Sequence, residues 1–425
     1  MSAELKEKLG DDEVQEQPST PTLAPEHTFP EGGTRGWLVV LGCFCVMFFT
    51  FGYVNAFGVY EEYYAETFLS NESASNIAWI GSIQSFFQFS AGTISGPITD
   101  RYGPRIIIWT CSTIYVVSLM LTSLCREYYQ FMLCQGVLGG LMNGLVYTPA
   151  VSIIGHYFHR RRAIAMAIAS SGSSLGGVIF PIMLTRMLYH TSIGFGWSVR
   201  VVGFMVIGLA LTASLTIAPR IAPRHGTLLL PRAFKNPSYS FQVAGMFFVF
   251  LGFMTPMFYL PTYSRQHGMG RDISFYTLAI LNGTSLFGRL LSGHFAPFLG
   301  RFNLLIFSSA VASILVFSWI RIKSSAAIIV FAALYGFPSG AIVALMPTAL
   351  ALVAPEPNQI GTYIGMALGF YSIASLVGTP ITGALISHYG GYDQAFIFSG
   401  VVLIFGAFLL TCARFCFAKK GEIAV

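Results

Sequence analysis

The sequence predicts an all-α membrane protein: twelve transmembrane helices in two six-helix bundles related by pseudo-symmetry. Three observations predict it. Of 425 residues, 54% are hydrophobic and only 10% charged, whereas about a quarter of a soluble chain is charged. Apolar runs of about 20 residues, the length that crosses a bilayer, recur along nearly the whole chain. The second six of these runs repeat the first six around a similar loop.

The runs cover 37–60, 77–99, 105–124, 130–154, 163–187 and 197–218, then 240–263, 274–297, 302–320, 326–350, 359–387 and 394–417. A first bundle is expected over 37–218 and a second over 240–417, with a linker over 219–239 rich in proline and basic residues. The tail over 1–36 is acidic and proline-rich and is expected to be disordered, as is the short tail over 418–425. The first of these tails holds no apolar core of a cleavable signal, so the first span is expected to serve as its own.

Sixteen lysines and arginines fall on the side of the membrane that holds both tails, and seven on the other. Positive charge collects inside, so both termini are expected in the cytoplasm, with the plasma membrane favoured over the vacuolar one. This places the sequon Asn71-Glu72-Ser73 in the first outward loop, where Asn71 is a candidate for glycosylation. The seven cysteines lie within or at the ends of apolar runs without metal-ligand spacing, so they are expected to be packing residues.

The eighth run carries the least expected residue, Arg289. A cation at membrane depth costs at least ~2.5 kcal/mol and normally faces a protein interior or a water-filled cavity. Asn282, Ser285 and Arg289 share one helix face at i, i+3 and i+7, and none of the eighteen acids lies deep in a span to pair with the arginine. Arg289 is therefore expected to attract an anion in a central cavity. Other polar groups inside the spans are candidates for the same cavity: Asn55 on the first, Gln84 and Gln88 on the second, Asn143 and Tyr147 on the fourth, Tyr259 and Tyr263 on the seventh, and Tyr371 on the eleventh. The Ser and Gly cluster over 170–177 is expected to serve close helix packing.

The two halves match at SGPITDRYGPR (95–105) and SGHFAPFLGRF (292–302), where Gly96 aligns with Gly293 and Gly103 with Gly300. Gly96, Asp100, Arg101, Gly103 and Arg105 resemble the G-x-x-x-D-R-x-G-x-R signature of the major facilitator superfamily. The resemblance implies a two-bundle transporter in which these five residues form a conformational gate. Two further stretches are similar to monocarboxylate porters: PEGGTRGW (30–37), and YFHRRRAIA (157–165) followed by Gly172, Ser173 and Gly176. The pattern NAFGVY (55–60) with Tyr63 and Tyr64 resembles fungal members. The likeness puts Arg289 where the porters hold a substrate carboxylate. Ser285 stands where lactate porters have an aspartate, and Asn55 where they have a lysine.

The expected function is secondary transport of an organic anion or related small metabolite by alternating access. An efflux pump for a fungal secondary metabolite is the alternative, and a non-transporting nutrient sensor on the same scaffold a weaker one. No motif of an enzyme, metal centre or phosphate loop is present. The expected partners are the bilayer and a small, carboxylate-bearing substrate; no cofactor or nucleic acid is expected, and a monomer suffices.

Overall fold

The computed structural model describes residues 31–220 and 229–418; the expected tails up to Pro30 and from Lys419, and the middle of the linker, lie outside these. Twelve helical rods cross the molecule among the described residues. The first is broken into α1 (Gly33–Phe49), α2 (Phe51–Val54) and α3 (Phe57–Thr67). Next come α4 (Ala74–Tyr102) and α5 (Pro104–Thr122). The fourth rod joins α6 (Tyr128–Phe131), a π-wound stretch (Met132–Gly139) and α7 (Gly140–Tyr157). The first bundle closes with α8 (Arg162–Tyr189) and α9 (Gly194–Thr216). The second holds α10 (Pro237–Gln266), α11 (Arg271–Leu299), α12 (Arg301–Trp319), α13 (Ser325–Val353), α14 (Ile360–Tyr389) and α15 (Asp393–Ala418).

Ten of the rods are long and apolar enough to span a membrane by composition alone. The two that fall short, α4 and α11, are each 29 residues long. They have the length to cross, and what lowers their hydropathy is the polar set they carry: Gln84, Gln88 and Asp100 on α4, Asn282, Ser285 and Arg289 on α11.

Local chemistry sets the helix ends. The hydroxyl of Ser73 accepts from the Asn76 N–H at 3.2 Å to start α4, and the carboxamide oxygen of Asn236 accepts from Ser238 N–H at 3.2 Å to start α10. Gly103 and Gly300 sit at φ 83° and 84°, the left-handed region that glycine enters without a Cβ penalty. They turn α4 into α5 and α11 into α12, so the repeat read in the sequence is a repeat of backbone geometry.

Within the first bundle α1 packs on α8 and α9, and α4 on α7; within the second α11 packs on α13, and α10 on α15. Between the bundles α4 lies along α14, and α8 along α11. Close approach at both seams needs small residues. A Cβ on Gly96 would stand 2.1 Å from the Gly361 carbonyl oxygen, and one on Gly293 would stand 2.3 Å from the Ala167 methyl. Large apolar side chains such as Ile106, Phe298 and Phe307 point outward, where lipid tails would meet them.

Candidate translocation cavity

A cavity of about 270 Å³ lies between the bundles, walled by α2, α3 and α4 on one side and α10 and α11 on the other. Much of its wall is apolar, with Phe51, Phe57 and Phe89 from the first half and Met254, Met257 and Phe275 from the second. Asn55, Gln88 and Asn282 line it, with Ser85, Glu61 and Glu62. The break after α2 gives Asn55 its reach. Its carboxamide donates to the Asn282 Oδ1 at 3.2 Å, a bond between halves, while Asn282 donates to the Leu278 carbonyl at 3.0 Å. Gly177 makes room for this pair: an added Cβ would stand 2.8 Å from Asn282 and 2.9 Å from Asn55.

Gln88 differs. It is 1% exposed, and neither its carboxamide oxygen nor its nitrogen has a protein partner. Sequence reasoning found it by its depth in a span, but not its facing.

Arg289 corrects the expectation. It is buried and does not line the cavity. Its Nη1 donates to the Ser170 carbonyl and the Ser173 hydroxyl of α8, and its Nε to the Ser285 hydroxyl at 3.3 Å. Ser285 in turn meets Ser174 of α8 at 3.0 Å. A guanidinium carries five donors in a fixed fork, and here neutral oxygens accept from Nη1 and Nε: Ser170 and Ser173 of the opposite half and Ser285 of its own helix. The serine cluster of α8 is thus both a packing surface and the acceptor set of Arg289.

Six further candidates lie elsewhere. Asn143 donates to the Thr50 carbonyl at 3.3 Å and Gln84 is buried beneath Gly140, both inside the first bundle. The Tyr147 ring meets Phe51 edge-on at 4.8 Å, behind the cavity wall. Tyr263 donates to the Ile322 carbonyl at 2.6 Å within an aromatic cluster, and Tyr371 stacks on Phe250 at 5.3 Å. Tyr259, half-buried, donates to the Thr379 carbonyl at 3.0 Å, between α10 and α14. Asn71 is exposed in the turn between α3 and α4, where the sequon's Ser73 serves as the cap of α4.

Contacts between the halves close the face that carries the basic loops. Asp100 accepts from the Thr362 N–H at 2.6 Å and from its hydroxyl at 2.7 Å. This places a carboxylate on the first turn of α14, where unpaired N–H groups and the helix dipole favour it. Arg162 donates to the Ala351 carbonyl at 3.2 Å and Arg301 to that of His159 at 3.4 Å. Arg101 and Arg105 point away and are exposed, so within the signature Asp100 and Gly96 make the crossing contact.

Beside this face the two porter-like stretches meet. The Glu31 carboxylate accepts from the backbone N–H groups of His159, Arg160 and Arg161 at 3.0, 2.7 and 3.0 Å, and Trp37 packs against Phe158 with ring centroids 5.3 Å apart. Partial burial works to raise the Glu31 carboxyl, but the N–H groups of Arg161, Arg160 and His159 outweigh it and hold the group below its usual range. A lowered value means the contact is present above the ordinary carboxylate range and lost as pH falls through the lowered one.

At the opposite face the halves meet through charges. Arg265 and Arg271 both pair with Glu62, the second at 2.8 Å, and Arg271 also pairs with Glu66. Glu62 and Arg265 form the rim of the cavity.

Two pseudo-symmetric bundles, a cavity at their seam and separate closures at each face define a secondary transporter of the alternating-access class. The Major Facilitator Superfamily family model matches residues 40–326, and the chain belongs to that superfamily. It is 48% identical over 419 residues to the aspyridones efflux protein apdF of Emericella nidulans, covering 98% of this chain and 85% of that one. It is 40% identical to the agnestins efflux protein AgnL12 of Paecilomyces divaricatus (89% of this chain, 87% of that) and 38% identical to the fujikurins efflux protein of Gibberella fujikuroi (96% and 89%). Among solved structures, the human organic anion transporter MFSD10 shares the fold at a TM-score of 0.71 and 15% identity, covering 89% of this chain and all of that one. The relatives named here are efflux proteins, so the narrower likeness to monocarboxylate porters does not carry through to them.

Proposed function

We propose that this transporter exports a small, largely apolar secondary metabolite, binding it in the seam cavity and releasing it at the face opposite the basic loops. The basic face is the cytoplasmic one on this reading, with both termini inside and the plasma membrane as the site of action. The cavity itself carries the proposal: its walls come from both halves and set phenylalanines and methionines, Phe51, Phe57, Phe89, Met254, Met257 and Phe275, around a few polar groups. The names of the similar efflux proteins support the direction.

The lining favours an uncharged ligand over the carboxylate expected from Arg289. Glu61 and Glu62 line the cavity, and Arg265, its cation, is paired with Glu62. Arg289 is assigned instead to tying α11 to α8, through bonds that must part before the cavity can open to the basic face. The porter-like stretches belong to a joint at that face and not to the cavity, so the likeness they carry is one of hinge and not of substrate.

The test is retention of preloaded metabolites in yeast expressing the chain. Cells should lose apolar, uncharged polyketides faster than cells with empty vector and keep carboxylate analogues at the same rate. Equal retention of every compound, with the protein present at the cell surface, would refute export.

A further inference from the structure

Buried amides normally find partners, because a carboxamide stripped of water without replacement bonds is costly. Asn55 and Asn282 bond to each other and need no ligand. Gln88 lines the same cavity, is almost wholly buried, and has both ends of its carboxamide free of protein partners. One donor and one acceptor thus lie side by side and unmatched in the cavity wall, beside Phe89 and Phe51, whose rings lie 5.4 Å apart.

We propose that Gln88 reads a cis-amide edge: a lactam-like group whose N–H donates to the Gln88 Oε1 while its carbonyl accepts from Nε2, with an aromatic or apolar body against Phe51 and Phe89. This rests on the reading of the cavity as the transport site and narrows its substrate class. The pattern discriminates by chemistry. A carboxylate offers two acceptors and no donor, so it leaves Oε1 unmatched and meets Glu61 and Glu62 in the same lining. An N-alkylated lactam keeps the acceptor but loses the donor. An apolar body alone fills the walls and leaves the carboxamide dry.

The experiment uses the full chain in lipid nanodiscs and equilibrium dialysis with three probes of one size: quinolin-2-one, its N-methyl derivative and 2-naphthoate. Wild type should bind the N–H lactam about tenfold more tightly than the N-methyl compound, the worth of one neutral hydrogen bond in a dry site, and naphthoate more weakly still. In Gln88→Leu the preference for the N–H lactam should fall to about onefold while binding of the N-methyl compound persists, which also shows that the cavity is intact. Gln88→Met, of nearly equal volume, removes both the acceptor and the donor and should lose the preference in the same way if the leucine variant does not fold. Absence of lactam binding by wild type, equal binding of the two lactams, binding of naphthoate as tight as that of the N–H lactam, or a preference that survives in either variant overturns the inference. Export from cells is measured apart from this, so a cavity that binds other metabolites would leave the efflux reading standing.

Discussion

The two faces of the molecule are closed by different chemistry. At the basic face Gly96 sits against the backbone of Gly361 and a buried Asp100 caps α14, so closure depends on shape and on bonds shielded from water. At the opposite face Glu62, Glu66, Arg265 and Arg271 pair while 14%, 42%, 47% and 36% of their side-chain surface stays exposed. Hydrogen bonds to a charged group are worth about 1.5–3 kcal/mol each, whereas exposed ion pairs are worth about 0–1 kcal/mol and weaken with salt. From this conformation the opposite face is therefore the easier one to open. Ligand release there is the cheap step, and reopening to the basic face is the step that needs work.

The largest effect should come from Gly96→Val, which drives a side chain into the Gly361 carbonyl. The seam between α4 and α14 could not close, and export should fall to background while surface expression persists. A cysteine placed by Leu278→Cys in the cavity wall should then react with reagents added from the basic face. Wild-type export by this variant would show that backbone contact at the seam is dispensable.

Arg289→Lys comes next. Lysine keeps the charge but cannot span the Ser170, Ser173 and Ser285 acceptors as the planar fork does. Export should drop by about tenfold, the scale of one lost charge-assisted bond, and labelling from the basic face should rise. Unchanged labelling would remove Arg289 from the closure and return it to the list of ligand contacts.

Asp100→Asn retains an acceptor for Thr362 but gives up the charge at the start of α14. The expected shift is about threefold to tenfold toward the state open to the basic face, read by the same labelling. Glu62→Gln should do least. It should change labelling from the opposite face by less than about fivefold, and 0.5 M salt should erase the difference between variant and wild type. A larger, salt-resistant effect would reverse the comparison and make the charged face the stronger closure.

Much of this could be read in the chain. Apolar length fixed ten spans outright, and the length of the two polar runs placed α4 and α11. Sequence spacing put the turn at Gly103, whose left-handed φ a glycine enters without penalty, while Asp100, expected in the loop, lies in the last turn of α4 just before it. These are local properties: bilayer thickness sets the run length, and a missing Cβ sets the turn.

Facing was decided only by assembly. Arg289 and Ser170 are 119 residues apart, Asn55 and Asn282 are 227 apart, and Arg265 and Glu62 are 203 apart. No local pattern tells a buried guanidinium whether a serine-rich helix or an open cavity will lie beside it, since a polar face on α11 suits either. Gln84 and Gln88 show the same limit within one helix: they are equally polar and one turn apart, glycines of α7 pack against both, and yet only the second lines the cavity.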